Sequence, residues 1–245
     1  WGNISLELGK YTGTFYYDSK LSNFVMWDAT LTDGFSGTPT YGDIAGGQVA
    51  EVYNNGSPQT TITGTPVGWW KLDASATFDG SNWSIPDDSS NSNNGTMYGS
   101  VATLPAALQQ SDLSFTSGYS PYTLAFDGTD DYINIPSFMS NLPSNDIYTI
   151  STWIKTNSDT NAAWGSSNSG SALLYAYVTN GTTLGIARGS VSRVDISNAL
   201  TVGEWANVVA VFDTSTNLKI YINNVFIQDV TVGSLGAVTD DFKIG

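Results

Sequence analysis

Short strand-like runs separated by turn residues recur about every ten residues from residue 122 onward, and this pattern constrains the fold more than any other feature. The runs are rich in β-branched and aromatic residues, and Gly, Asn, Asp and Ser bound them. Between 122 and 135, Asp127-Gly128 separates two apolar runs and predicts a hairpin. Asn180-Gly181 and Asn223-Asn224 predict two more tight turns. The pattern predicts an all-β fold, a two-sheet antiparallel sandwich or jelly roll.

Three further segments refine this prediction. The run 204–212 is the most apolar of all and predicts a central strand covered on both faces. Helical periodicity over 47–53, followed by Asn54-Asn55-Gly56, predicts one short helix. The segment 165–170 holds Gly, Ser and Asn but lacks the Lys and the following helix of a phosphate-binding loop, so we predict a polar loop there.

The composition limits the classes of partner. The chain of 245 residues carries 22 acidic and 8 basic residues, a net charge of −14, which argues against nucleic acid or anionic lipid as a partner. No apolar run approaches the length of a membrane span, so we predict no membrane insertion. The absence of Cys means that no disulfide framework forms, and it leaves the redox compartment open.

Several segments, in family order, resemble the LamG-like modules of the concanavalin A-like lectin/glucanase superfamily. They are the entry strand and Asn/Gly loop at 67–73 and 87–96, the turn at 126–135, and the later strands at 203–212 and 218–224. The resemblance covers about 67–245. It implies two antiparallel sheets in jelly-roll order, with recognition by the loops at the rim.

The N-terminal 66 residues add a second resemblance. Residues 16–32 are similar to the last strand of such a module, and 47–56 resemble its exit. The segment 6–9 (LELG) echoes 242–245 (FKIG), which indicates a repeat of about 236 residues within a longer protein. We therefore interpret 1–66 as closing strands and exit helix, and 67–245 as a sandwich lacking its usual last strand.

Two arrangements of the closing strand follow. Residues 10–31 could close the sandwich of 67–245 in cis, as a circular permutation. Alternatively they could complete a neighbouring module, while another copy supplies the missing strand in trans. We favour closure in cis, because module ends in this superfamily lie close together and an open central position would expose backbone edges.

Nothing in the sequence indicates an enzyme. Without His or Cys, the chain has neither the Ser-His-Asp nor the Cys-His nucleophile system. Carboxylate pairs suffice for glycoside hydrolysis, but the Glu-x-Asp-x-Glu strand of the superfamily's glucanases is missing. The only glutamates, Glu7, Glu51 and Glu204, lie far apart in the sequence. We predict a non-catalytic protein and keep an Asp-based glycosidase as the least favoured alternative.

Calcium is the one metal for which the sequence offers ligands. Asp127, Asp130 and Asp131 crowd one turn, and carboxylate and carbonyl oxygens are the ligands that calcium prefers. The competing interpretation is that these aspartates fill turn positions. No cofactor is required, and no glutamate closes an EF-hand loop.

Aromatic residues beside amides are the candidates for sugar binding, because rings stack on pyranose faces while polar groups bind hydroxyls. We predict that Trp83, next to Asn82, and Trp164 lie in polar loops. Tyr175 and Tyr177 alternate on one strand and should share a face. The tryptophans at 69, 70, 153 and 205 lie in apolar runs and are predicted to be core residues.

These observations predict a glycan-binding or adhesion module of a larger extracellular or virion-surface protein, such as a fibre or capsid appendage. Its partners would be a polysaccharide or cell-surface glycan and neighbouring copies or repeats of the module. The alternative is a structural building block that assembles through strand exchange between repeats or copies.

Overall fold

The structure is a computed structural model. It describes residues 5–8, 10–11, 15–62, 64–73, 75–79, 82–98, 124–128, 131–136, 138, 146–168, 171–189, 193–214, 216–234 and 242–244.

The described residues form β-strands and one α-helix. The first half of the chain contains β1 (Ser5–Leu8), β2 (Lys10–Tyr11), β3 (Phe15–Tyr16), β4 (Asp18–Trp27), α1 (Gly47–Tyr53), β5 (Gly68–Trp70), β6 (Thr77–Phe78), β7 (Trp83–Ile85) and β8 (Gly95–Tyr98). The second half contains β9 (Leu124–Asp127), β10 (Tyr132–Pro136), β11 (Tyr148–Lys155), β12 (Asn161–Asn168), β13 (Ser171–Thr179), β14 (Thr183–Arg188), β15 (Arg193–Ile196), β16 (Trp205–Thr214), β17 (Asn217–Ile222), β18 (Val225–Thr231) and β19 (Phe242–Ile244).

The described strands build two main sheets. The large sheet has the order β15-β14-β13-β12-β1-β19-β10-β8-β7-β6, and both β1 and β19 pair with β10 and with β12. The small sheet has the order β18-β17-β16-β11-β4-β5, with β9 beside β4. Strands β2 and β3 form a separate two-stranded ribbon. The described pairings are antiparallel except that of β1 with β19.

The two sheets face each other across the main core. Alternating residues of β16 and β17 point inward, among them Val208, Phe212 and Ile220. From the large sheet, Trp164 and Ile186 meet them. This alternation explains the sandwich, since successive side chains of a strand point to opposite faces and the apolar set of each sheet must be buried.

A second core covers the outer face of the small sheet. Val25, Trp69 and Val209 point away from the main core and pack against Leu31 and Val49, which belong to the segment after β4 and to α1. Buried residues on both faces make the small sheet a middle layer. The residues from 28 to 62 therefore act as a cap on it, and we call them the cap segment.

Several predictions from sequence are confirmed. Residues 206–212 of β16 are buried, and the strand lies between β11 and β17. The predicted helix spans Gly47–Tyr53 and ends at Asn54, which adopts the left-handed conformation with φ 46° and ψ 48°. Asn223 and Asn224 have φ of 50° and 67°, as a tight hairpin between β17 and β18 requires. The all-β sandwich is likewise observed.

The predicted hairpin at Asp127-Gly128 is wrong. Strand β9 pairs with β4 in the small sheet, whereas β10 pairs within the large sheet, so this turn carries the chain from one sheet to the other. Gly128 has φ 72°, which suits either a hairpin or such a crossing. The choice depends on β4, which occupies the position beside β9 and is distant in sequence.

The predicted polar loop at 165–170 is also wrong for its described part. Residues 161–168 form β12, which pairs with β13 through two register shifts. Glycine and serine have weak strand propensity, but this segment lies in the middle of the large sheet. Pairing on both sides therefore outweighs local preference. Residues 169–170 lie outside the described residues.

Strand β4 occupies a central position of the small sheet within the same chain. One of its sides pairs along its length with β11, and the other pairs with β9 and β5 in succession. The register with β11 shifts between Ser22 and Val25, and Asn23 in this interval adopts a φ of 51°. In this structure, therefore, a strand from the N-terminal region lies among strands of 67–245. The division into 1–66 and 67–245 stays a prediction.

No helix in the described part of the chain is long and apolar enough to cross a membrane.

Candidate functional site

The structure distributes the predicted glycan-binding residues over three places. Asn82 and Trp83 lie at the β6–β7 end of the large sheet, Tyr175 and Tyr177 lie on β13, and Trp164 lies on β12. Both β1 and β19 pair with β10 and β12 and count as one position, so about five strand spacings of roughly 4.8 Å separate β7 from β13, and the first two places are roughly 24 Å apart. They cannot contact one small saccharide together.

Trp164 is not in a polar loop, and that prediction is corrected. It lies on β12 with 1% of its surface exposed, and its ring meets Phe24 of the small sheet with centroids 6.4 Å apart. A side chain buried between the two sheets presents no face to a ligand at the surface. The sugar site considered below therefore excludes Trp164.

Tyr175 and Tyr177 share a face of the large sheet, as the period-two spacing predicted. Leu174, Ala176 and Val178 alternate with them and point into the main core, so the tyrosines point outward. Both tyrosines are half-buried, which leaves part of each side chain open to solvent. This outward face continues across β14 and β15, and we call it the tyrosine face.

Small residues form the floor of the tyrosine face. In register, Tyr177 lies opposite Gly185, and Tyr175 lies opposite Ala187. One strand further on, Gly185 is opposite Asp195 and Ala187 is opposite Arg193. The tyrosines on one side and the charged pair on the other thus border a row that carries at most one methyl group per residue.

Arg193 and Asp195 form a planar ion pair beside the tyrosines. The Arg193 Nε lies 2.7 Å from Asp195 Oδ1, and Nη2 donates to Oδ2 at 2.8 Å. The pair lies against Gly185, where an added Cβ would come within 2.8 Å of Asp195 Oδ1. The guanidinium also lies over the ring of Tyr177, 5.3 Å from its centroid. Glycine therefore makes room for the charged pair next to the ring.

The electrostatics of the tyrosine face keep the Tyr175 phenol neutral and the Arg193 guanidinium charged. Burial raises the pKa of Tyr175 and outweighs the opposing effect of Arg193. The hydrogen bond to Asp195 raises the pKa of Arg193 further above its ordinary range. Both side chains of the pair remain 42% exposed, so their outer hydrogen-bonding positions are open to a polar ligand. The face can offer aromatic surface, N–H donors and carboxylate acceptors together.

Trp83 lies in a short strand and not in a loop, and this prediction is corrected as well. It pairs with Phe78 across the β6–β7 ribbon, with ring centroids 5.3 Å apart. Asn82 donates its backbone N–H to Asp79 Oδ1 at 2.8 Å in the connecting turn. Phe78 is 39% exposed, so this ribbon is a second, smaller aromatic site at the edge of the sheet.

The predicted calcium ligands are described only in part. Asp131 is buried, the backbone of Asp127 ends β9, and Asp130 lies outside the described residues. No cluster of three or more Asp, Glu, His or Cys side chains that could hold a metal occurs among the described residues. A calcium site at this turn therefore stays a prediction.

Asp87, in the Asn-rich loop, accepts hydrogen bonds from the loop itself and from β5. Its Oδ1 accepts from the backbone N–H groups of Trp69 and Ser89 at 2.8 and 2.9 Å. Its Oδ2 accepts from the Ser89 hydroxyl and the Asn93 N–H, both at 2.8 Å. The carboxylate thus accepts four hydrogen bonds from the protein, which organise the loop that follows β7 and join it to Trp69 of β5.

Sequence reasoning missed Arg193, Asp195 and Gly185. The alternation Arg193-Val194-Asp195 places both charges on one face of β15, which the sequence shows. Their proximity to Tyr175 and Tyr177 depends on the order β13-β14-β15, and the Asn180-Gly181 turn makes the adjacency of β13 and β14 predictable in principle.

The two sheets that face each other across the main core define a two-sheet β-sandwich. Residues 127–245 match the Laminin_G_3 family model, described as concanavalin A-like lectin/glucanases superfamily, and this part of the chain belongs to that family. Membership implies the jelly-roll order of the sandwich. The match includes the tyrosine face but not β4, β5 or the β6–β7 ribbon. Comparisons with curated proteins and with solved structures found no match.

Proposed function

We propose that this chain is a non-catalytic glycan-binding module of an extracellular or virion-surface protein, and that the tyrosine face is its binding surface. The observation that carries the proposal is the half-exposed pair Tyr175 and Tyr177, set beside the Arg193–Asp195 ion pair. Adhesion to a polysaccharide or a cell-surface glycan is the role that we infer from it.

The chemistry of the face suits a pyranose ring. A sugar presents an apolar face of C–H groups and an edge of hydroxyls, which need an aromatic surface and paired donors and acceptors respectively. The side chains of Arg193 and Asp195 lie over Gly185, and Ala187 is buried, so a sugar would contact the outer surfaces of the two tyrosines and of the ion pair. Arg193 and Asp195 are already fixed by each other, so little side-chain entropy is lost when they bind hydroxyls.

The charge of the protein narrows the class of glycan. A chain of net charge −14 repels heavily sulfated or phosphorylated polymers at long range. Arg193 is a local exception and could bind a single carboxylate of a uronic or sialic acid. We therefore expect a neutral or weakly acidic polysaccharide as the ligand.

The experiment is a screen of bacterial and algal polysaccharides and surface glycans, followed by calorimetric titration of the best ligand. We expect Tyr175→Ala and Tyr177→Ala each to lower affinity about tenfold, a loss of about 1.4 kcal/mol. Tyr41→Ala is the matched control, because Tyr41 is 80% exposed but lies in the cap segment. Its affinity should equal that of the unmodified chain.

Four results would change the proposal. If no glycan binds the folded chain, or if the two tyrosine variants bind normally, the tyrosine face is not a sugar site. If only Phe78→Ala weakens binding, the site lies on the β6–β7 ribbon. Release of reducing sugar from any polysaccharide would show catalysis and overturn the non-catalytic assignment. Titration with and without a calcium chelator tests whether calcium takes part.

A further inference from the structure

Two strands of this chain pair with the same two neighbours in the large sheet. Strand β1 pairs with β10 and β12, and β19 pairs with the same two strands in the same antiparallel sense. Glu7 and Lys243 both lie opposite Asn134 on β10 and opposite Gly165 on β12. The position between β10 and β12 is called the strand slot below.

The slot has hydrogen-bonding capacity for one strand. Each residue of β10 offers one N–H and one C=O, and in an antiparallel ladder both point towards a single neighbour. Asn134 therefore cannot complete a ladder with Glu7 and with Lys243 at the same time. The chain therefore contains two strands that fit the same position between β10 and β12.

The coincidence extends along the strands and agrees with the sequence. Leu8 and Ile244 both lie opposite Ile133, one residue away from the positions of Glu7 and Lys243. Each residue of β19 thus takes the same sheet position as the residue of β1 that lies one repeat length earlier in the sequence. The same offset relates the segments LELG and FKIG. Register and sequence, two separate observations, identify the strands as equivalent.

We propose that the strand slot accepts either strand, and that the strand left over enters the slot of a second copy of this chain. An empty slot would expose the ladder edges of β10 and β12, which proteins rarely leave unpaired. A slot filled from another copy forms the same backbone hydrogen bonds as one filled in cis. The free energies of the two arrangements therefore differ mainly by the entropy of association, which depends on concentration. Each copy donates a strand from one place and accepts a strand at another. The contact between copies is therefore head-to-tail.

Disulfide trapping tests the first half of the proposal without removing a strand. The chain has no cysteine, so every thiol is introduced. The variants Glu7→Cys/Asn134→Cys and Lys243→Cys/Asn134→Cys each place two thiols at directly opposite positions of neighbouring strands, within disulfide reach. We expect both variants to form the bond within one chain at nanomolar concentration. If only one of them does, the slot belongs to one strand and the proposal is wrong.

The second half is tested with two populations of single-thiol chains. Chains with Asn134→Cys are mixed at micromolar concentration with chains carrying Lys243→Cys, and separately with chains carrying Glu7→Cys. High ionic strength weakens the repulsion between copies of charge −14. After refolding together and oxidation, mass spectrometry of the linked peptides should show heterodimers joined at these positions.

The matched control is Tyr41→Cys mixed with Asn134→Cys. Tyr41 is exposed and lies in the cap segment on the small sheet, whereas β10 belongs to the large sheet, so this pair reports random collision. We expect at least one strand variant to give about tenfold more heterodimer than this control. Heterodimer at the level of the control for both strand variants would overturn the exchange between copies. This result does not depend on whether the tyrosine face binds a glycan.

Discussion

The guanidinium of Arg188 lies over the ring of Phe212, with its central carbon 4.7 Å from the ring centroid and no part of the arginine side chain exposed. Arg188 donates three hydrogen bonds to backbone carbonyls: Gly233 at 2.8 Å, Asp146 at 2.8 Å and Thr214 at 3.0 Å. These carbonyls follow β18, precede β11 and end β16. One buried side chain thus joins three segments at one end of the sandwich.

Replacing Arg188 should therefore destabilise the protein strongly. Arg188→Met leaves the three carbonyls without their charged donor, and we expect a loss of about 3 kcal/mol in the free energy of unfolding. Urea denaturation followed by tryptophan fluorescence measures it. Arg193→Met, at an exposed arginine of the same sheet, should change the value by about 0.5 kcal/mol or less. Equal losses of unfolding free energy in the two variants would show that the buried hydrogen bonds of Arg188 contribute no more to stability than an exposed arginine does.

Asp87→Asn should disrupt the loop that follows β7. An amide keeps one acceptor oxygen but turns the other position into a donor facing the Ser89 hydroxyl and the Asn93 N–H. We expect a loss of about 2 kcal/mol. Asp88→Asn breaks only the partly exposed ion pair with Lys71, so its effect should be about 0.5 kcal/mol. Urea denaturation measures the loss of unfolding free energy in each variant. Equal losses would contradict the proposed role of the Asp87 carboxylate in the loop.

Trp164→Ala should behave as a core substitution. Removing a ring that is 99% buried between the sheets leaves a cavity, and the expected cost is about 3–5 kcal/mol. Trp83→Ala, at the half-buried edge ribbon, should cost about 1 kcal/mol. If thermal unfolding ranked the two variants in the opposite order, Trp164 would be at the surface after all.

The cap segment should weaken in acid through Asp33. Burial raises the pKa of this carboxyl, but the hydrogen bonds from Tyr221 and the Phe35 N–H, together with Lys219, lower it more, so its pKa lies below the ordinary range. Tyr221 Oη donates to Asp33 Oδ2 at 2.7 Å, and Lys219 Nζ lies 3.5 Å away. The carboxylate therefore ties the cap segment to β17.

The sign of the pH dependence follows from this lowered pKa. A carboxyl with a lower pKa in the folded state stabilises it fully above the unfolded value of about 3.9, and this contribution is lost as the pH falls through the folded-state pKa. Asp33→Asn should be less stable than the unmodified chain at neutral pH. Urea denaturation across a pH series should show the two values converging in acid; a constant difference would contradict the assignment.

The sequence was sufficient wherever neighbouring residues decide the structure. The continuous apolar run of β16, the left-handed Asn54 after α1 and the Asn223-Asn224 turn all depend on side-chain patterning or backbone preference within a few residues. The shared face of Tyr175 and Tyr177 depends only on the alternation of a strand. These features could be predicted because each is local.

The errors arise where partners are distant in sequence. Asp127-Gly128 looks like a hairpin because nothing near it shows that β4, about a hundred residues earlier, takes the place beside β9. Trp164 sits among small polar residues, and only the pairing of β12 on both sides places it in the core. Likewise, Arg188 is one of eight cationic residues, and no nearby residue marks it as buried.

What the sequence determined by itself is the class of fold, the strand alternation, the turns, and the echo between the segments 6–9 and 242–245. What only the tertiary structure decided is which strands are neighbours: that β15 brings Arg193 and Asp195 to the tyrosine face, and that β1 and β19 share one slot. The reason is physical. Side-chain alternation and turn geometry act over a few residues, whereas sheet order depends on which distant edges pair when the apolar faces are buried.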